Sequence, residues 1–416
     1  MKLMPEHFIA RRMLALSAVI LGIALAGSSA SSQPPPRVFI LQADDLVETQ
    51  RRLRANDASL LPALSKLQRD ADHALDGGIF SVVHKELAPP SGDKHDYLSL
   101  APYWWPNPNT PNGLPYIRRD GEVNPERDQN SDRRRFDNLV RGVTTLALGY
   151  FFTGREDYGA HAARLLRAWF LGDATKMNPH LRYAQAVPGR NVGRAAGIIE
   201  THNLPELIDA VGLLAPSKNW RSEDQRGVQK WFDAYLAWLR ESPEGRAEAK
   251  TQNNHGTWYD VQIAAFALFV DKGDMAKTVL SEMAEKRIAK QIEPDGRQPR
   301  ELERTQAWSY SLFNLEALFD GASMVSKFGI DLWSYETPDQ RGIRKALDWL
   351  VPYATSEKKW NHQQISGLQP EKLAPLLRRA AVRYREPAYE RTIDKLPKGT
   401  ETERWRLLNP AAATAR

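Results

Sequence analysis

Apolar residues recur at three- and four-residue spacing through most of the chain, the period of a helix with one face turned to a core. The pattern predicts helices over Leu46 to Leu53, Leu60 to Leu75, Leu139 to Phe152, Ala160 to Phe170, Gly193 to Leu214, Val228 to Leu239, Trp258 to Val270, Met275 to Ile288, Ala307 to Phe328 and Ile343 to Tyr353. Turn signals such as Phe152-Thr153-Gly154, Ala215-Pro216-Ser217, Asp271-Lys272-Gly273 and Pro294-Asp295-Gly296 separate them. A long irregular segment, dense in Pro, Gly, Asn and aromatics, runs from Ala88 to about Asn130. No stretch keeps the period-two alternation of a hairpin. The expected fold class is all-α, with helical hairpins packed side by side. Such hairpins stack into a solenoid or close into an α/α toroid, and the absence of a crisp repeat counts against the regular solenoids. A toroid would leave a central cleft lined by helix ends and loops.

Composition changes this picture by exclusion. With 416 residues, 42% hydrophobic and 26% charged, the chain can bury a large core and is not disordered. Zero cysteines remove a disulfide scaffold, a thiolate metal site and a cysteine nucleophile. Nine histidines form no H-E-x-x-H and no close pair on one helix face, so no metal and no cofactor is expected. Residues 1–30 read as a cleaved secretory signal: a basic start, an apolar run from Met13 to Ala26 too short to span a bilayer, then Ser28 and Ala30. A Pro-rich joint, 31–37, leads to one large domain over 38–416, with 355–416 a C-terminal extension. Removing Lys2, Arg11 and Arg12 against Glu6 lowers the net charge from +6 to +4. A periplasmic or secreted monomer with that charge suits an acidic polysaccharide better than nucleic acid, and no stable membrane insertion follows signal cleavage. The run Arg133-Arg134-Arg135 lacks interleaved aromatics and reads as a solvated helix start.

Three loop segments carry candidate chemistry. In Gly92 to Pro108, Tyr103, Trp104 and Trp105 lie on a loop stiffened by prolines, suited to stacking on sugar rings or to forming a buried aromatic corner. In Asn178 to Arg190, His180, Arg182, Tyr183 and Gln185 crowd a Pro/Gly-punctuated loop before a helix start, a place for anionic groups or for a solvated cap. The third begins Thr251-Gln252-Asn253-Asn254-His255-Gly256-Thr257-Trp258. Asn253 alone could be a helix cap, but two asparagines and a histidine exceed what capping needs. About fifty residues on, Arg300, Arg304 and Tyr310 open another long helix.

The segments GDKHDYLSLAPYWWPNP, YAQAVPG, NNHGTWYD and ELERTQAWSY, four motifs in the correct order along the chain, together resemble the alginate lyase superfamily over roughly residues 88 to 330. The resemblance implies an α/α-toroid polysaccharide lyase acting on polyuronates. It also implies a catalytic set of Asn254, His255, Arg304 and Tyr310, with Trp258 and Arg300 joining the loop residues in substrate binding. The Arg304-to-Tyr310 segment is one residue shorter than in the mannuronate lyases, which makes Arg300 the alternative arginine. The NNHGTWYD and WWPNP versions look closer to members acting on other polyuronates.

The residue types fit β-elimination. The C-5 proton of a 4-linked uronate becomes acidic only when its carboxylate is neutralised, work for an amide and a guanidinium. In mannuronate and glucuronate the C-5 proton and O-4 share a face, so one tyrosine, deprotonated by nearby cations, can serve both. In guluronate they lie on opposite faces, which calls for His255 as base and Tyr310 as acid. Two other readings stay open: a hydrolase using a carboxylate pair from Asp96, Glu200, Asp260 or Glu301, and a non-catalytic polyuronate-binding or export component.

Overall fold

The helical period settles into sixteen α-helices among the described residues of a computed structural model, which are 34–129, 131–397 and 402–411. The expected signal segment lies outside them. The helices are α1 (Ala43–Arg54), α2 (Leu61–Leu75), α3 (Arg133–Thr153), α4 (Glu156–Leu166), α5 (Leu204–Leu214), α6 (Ser222–Glu241), α7 (Pro243–Ala249) and α8 (Asn254–Phe269). They continue as α9 (Gly273–Met283), α10 (Ala289–Gln291), α11 (Pro299–Leu302), α12 (Ala307–Val325), α13 (Ile343–Ala354), α14 (Ala374–Tyr384), α15 (Pro387–Lys395) and α16 (Trp405–Leu408).

Sequence character sorts them into two layers. α8 and α12 are apolar on nearly every side and almost wholly buried, as a helix without a polar face must be. They pack on each other, and α8 also packs on α5, which in turn packs on α3. Around this inner row stand α2 and α4 against α3, α6 and α9 against α8, and α13 against α12. This two-layered arrangement is the expected α/α toroid. The described residues after Ala354 share the core: Leu373, Leu377 and Ile393 join it, and Trp308 Nε1 on α12 donates to the Gln369 carbonyl at 3.1 Å. No helix among the described residues is long and apolar enough to cross a membrane.

Four short strands accompany the helices of this all-α fold. Strands β1 (Leu98–Leu100) and β4 (Tyr183–Ala186) pair in parallel, while β2 (Trp104–Trp105) and β3 (Ile117–Arg118) pair antiparallel. These pairs are two to four residues long, too short for alternation to show. They fasten the irregular segment to the rest of the fold. The helix expected over Gly193 to Leu214 is also split, into a 3-10 stretch (Ala195–Thr201) and α5.

The N-terminal end of α8 is held from behind. Arg287 is fully buried, with Nε on Asp260 Oδ2 at 2.7 Å, Nη1 on the Thr251 carbonyl at 2.5 Å and Nη2 on the Ala249 carbonyl at 3.0 Å. A Cβ on Gly256 would come within 2.2 Å of that guanidinium and of the Thr251 oxygen, so the close approach requires glycine. Replacing Arg287 by methionine would strand Asp260 without its closest counterion. The expected loss is about 3–5 kcal/mol of stability, read by denaturant unfolding.

Candidate active site

One cleft of about 440 Å³ gathers residues from loops and helix starts far apart in sequence. Asn254 and His255 occupy the first turn of α8, and Tyr310 lies one turn into α12. Arg304 sits between α11 and α12, and Tyr103 precedes β2. All five line the cleft, with Trp104 and Gln185.

The tyrosine is the most elaborately held of them. Its hydroxyl accepts from Arg304 Nη2 at 2.8 Å and shares a 2.7 Å hydrogen bond with the Tyr103 hydroxyl, while the Arg304 guanidinium covers its ring at 3.9 Å. Asp120, from the turn after β3, grips Arg304 through Nε at 3.0 Å and Nη2 at 2.8 Å, and also accepts from the Thr305 backbone N–H at 3.2 Å. Gly121 lets this turn come close: a Cβ there would lie 2.3 Å from Thr305 Oγ1, and its φ is +76°. Burial raises the Asp120 pKa, but the Arg304 and Thr305 hydrogen bonds outweigh it and hold the carboxyl down at about 2. Arg304 therefore always faces an anion. For Tyr310, burial and the neighbouring Tyr103 outweigh Arg304 and push its pKa well above the ordinary tyrosine value. The Arg304 charge opposes that rise and favours the phenolate.

His255 is oriented by a buried carboxylate: its Nδ1 lies 2.5 Å from Glu248 Oε1. This leaves Nε2 as the ring nitrogen available to the cleft, and a proton on Nδ1 makes Nε2 an acceptor. Substituting Glu248 by glutamine removes the charge but keeps the shape. We expect about a tenfold or greater loss in kcat with KM little changed, measured by steady-state kinetics. Glu301 performs the matching task for Asn254, accepting from its backbone N–H at 2.7 Å and its Nδ2 at 2.6 Å. The Asn254 Oδ1 is buried without a protein partner.

Other predicted residues fall elsewhere. Trp105 is outside the lining, with Nε1 on the Glu122 carbonyl at 3.0 Å and Arg119 over its ring, so the two tryptophans divide between cleft and scaffold. His180 is held by Asp96 at 3.0 Å, and Tyr183 is buried in β4; neither reaches the cleft. Arg182 and Arg300 are exposed and outside the lining, which leaves Arg304 as the arginine at the tyrosine. Trp258 is buried behind the cleft, its Nε1 on the Phe313 carbonyl at 3.1 Å. Each carboxylate considered for hydrolysis has a fixed partner: Asp96 with Asn178 and His180, Glu200 with Tyr97 and Ser99, Asp260 with Arg287, Glu301 with Asn254.

Sequence reasoning missed several lining residues. Arg133 is no solvated helix start but a largely buried cleft residue, paired with Asp137 at 2.9 Å and donating to the Glu200 carbonyl. Arg194 Nη2 donates to Gln185 Oε1 at 2.5 Å, and among the described residues no carboxylate forms an ion pair with it, although Glu200 and Glu248 lie near enough to act on its charge. Gln185 holds a left-handed φ of +51°, backbone strain of the kind found at functional sites. His202 stands between Trp258 and Phe313, and burial lowers its pKa to about 4, so it is neutral. The positively charged Gly193-Arg194 motif was visible in sequence; Asp120, Glu248 and His202 carried no local signal. Among the described residues no group of three or more histidines and carboxylates is placed to hold a metal ion.

Comparison with known proteins bears on this cleft. The alginate lyase family model matches residues 81–360. A solved alginate lyase from Bacteroides ovatus is 40% identical, with a TM-score of 0.86 over 90% of this chain and 99% of that one. Alginate lyase A1-III from Sphingomonas species A1 gives a TM-score of 0.53 at 14% identity, over 84% of this chain and 97% of that one, a likeness of fold alone. No curated protein matches. A family match across most of the helical body, joined to 40% identity over nine-tenths of the chain, leads to one conclusion: the chain belongs to the alginate lyase family, and it is a lyase.

Proposed function

We propose that the protein cleaves a 4-linked acidic polyuronate of the alginate type by β-elimination, leaving an unsaturated uronate at the new non-reducing end. The observation that carries this reading is the Tyr310 hydroxyl, fixed between Arg304 and Tyr103 in the same cleft as a His255 ring oriented by Glu248. Arg194, without an ion-pair partner among the described residues, neutralises the uronate carboxylate, and the second N–H of the Asn254 amide donates to the charge developing on it. The base removes the C-5 proton, the electron pair becomes the C-4 to C-5 double bond, and O-4 departs with a proton from Tyr310. No water is consumed.

The raised Tyr310 pKa bears on stereochemistry. A protonated phenol is ready as an acid, so guluronate, with His255 as base on the opposite face, needs no prior ionisation. Mannuronate and glucuronate need the phenolate, which Arg304 stabilises by hydrogen bonding. Their cleavage should accelerate with pH, while guluronate cleavage should not and should fall only where Tyr310 ionises. Trp104, with Arg190 over its ring at 5.0 Å, offers an aromatic wall for a sugar face. In this reading residues 1–30 direct export and the protein acts as a monomer outside the cytoplasm.

A panel of polymannuronate, polyguluronate, glucuronan and hyaluronan, followed by ultraviolet absorbance of the conjugated alkene, tests the reading. Absorbance should rise with at least one alginate block. Reducing ends appearing without absorbance would replace elimination by hydrolysis.

A further inference from the structure

A second cationic hollow, of about 490 Å³, lies outside the catalytic lining. Arg240 from the end of α6, Arg246 from α7, Lys250 from the following turn, Lys286 from the π-helical stretch Ala284–Ile288 and Lys290 from α10 converge on it, with the Gln252 carboxamide. No acidic side chain lines it. Arg240, Arg246, Lys250 and Lys290 are exposed, and none forms an ion pair with a described residue. Lys286 lies 3.6 Å from Asp260, but that buried carboxylate already holds Arg287 at 2.7 Å. Five positive charges drawn from separate segments thus face a shared space, four of them without an ion pair to a described residue. Self-repulsion of this kind is a cost to the fold that an anionic ligand would relieve.

The hollow is also tied to the cleft. The Arg287 guanidinium that fixes the Ala249 and Thr251 carbonyls holds the turn carrying Lys250 and Gln252. The same turn runs directly into Asn254 and His255. Five residue steps separate Lys250 from His255, at most roughly 18 Å of backbone even if fully extended. A polymer with a charge on every sugar could therefore be held in both places by one strand.

We propose that this hollow is an accessory binding site for an anionic polysaccharide, taking a segment of the polyuronate strand whose reacting bond lies in the cleft. The assignment rests on the lyase reading for its choice of ligand. Once the strand is held in one place, binding in the other is intramolecular, so the hollow favours long chains over short ones without touching the reacting atoms.

The test replaces Lys250 and Lys290 together by glutamate, with a Lys250→Gln, Lys290→Gln pair as the milder version. On long polymannuronate or polyguluronate, KM should rise about fivefold or more with kcat unchanged, and KM for a tetrasaccharide should stay constant. Equal changes for long and short substrates, or none for either, would overturn the proposal. Affinity electrophoresis in alginate-containing gels, in a Tyr310→Phe background so that the polymer persists, needs no turnover and separates this idea from failure of the lyase reading. The doubly substituted protein should be retarded less, the cleft alone holding the polymer; unchanged retardation, or stronger retardation by DNA than by alginate of equal charge density, would overturn the assignment.

Discussion

Phenylalanine at position 310 should lower turnover by about 10²–10⁴ on every uronate the protein cleaves, the range for loss of a positioned proton donor. The ring remains, so its packing and the Arg304 guanidinium above it are retained. Only the hydroxyl between Arg304 Nη2 and Tyr103 is removed. Substrate binding should stay within about tenfold, measured as Kd in the inactive variant, because the cleft cations are untouched. Retention of more than about a tenth of wild-type kcat would remove Tyr310 from the acid role. The pH profile supplies a second readout. An acid whose pKa is raised remains protonated further into the alkaline range, so the donor form persists through neutrality. Loss of activity from Tyr310 ionisation should therefore not begin below the ordinary tyrosine value of about 10 on guluronate blocks.

His255→Ala should separate the two stereochemical routes. On polyguluronate the variant loses its base, and kcat should fall by about 10²–10⁴. On polymannuronate, where ionised Tyr310 serves on the shared face, the fall should be at least tenfold smaller. The comparison is steady-state turnover on the two block polymers. Equal losses on both would assign His255 to carboxylate neutralisation instead. The Glu248 contact at 2.5 Å makes the guluronate effect sensitive to the orienting carboxylate, so Glu248→Gln should weaken the same substrate preferentially.

The chemistry was legible in sequence where it broke a local rule. Asn253-Asn254-His255 held more polar groups than a cap requires, and the structure puts all three in the cleft beside Tyr310 and Arg304. The layers were legible because α8 and α12 lack a polar face. What escaped depends on pairing across distance. Asp120 meets Arg304 from 184 residues away, and β1 meets β4 across the whole of α3 and α4. His180, Tyr183 and Trp258 looked chemical because their residue types are, yet their neighbours use them to build the wall behind the site. Arg133 looked solvated beside two other arginines, and only the fold turns it inward. The electrostatic balance at Tyr310 was equally invisible, since it depends on Asp120 occupying the arginine and Tyr103 adjoining the phenol.

Digestion of alginate in heavy-oxygen water, with mass analysis of the products, tests the central claim most directly. Elimination forms the new double bond within the sugar and adds no water, so each cut should yield one unsaturated end and no heavy oxygen beyond the exchange at reducing ends seen in an undigested oligosaccharide control. Incorporation of one heavy oxygen per cut, with saturated ends, would contradict β-elimination at Tyr310 and His255.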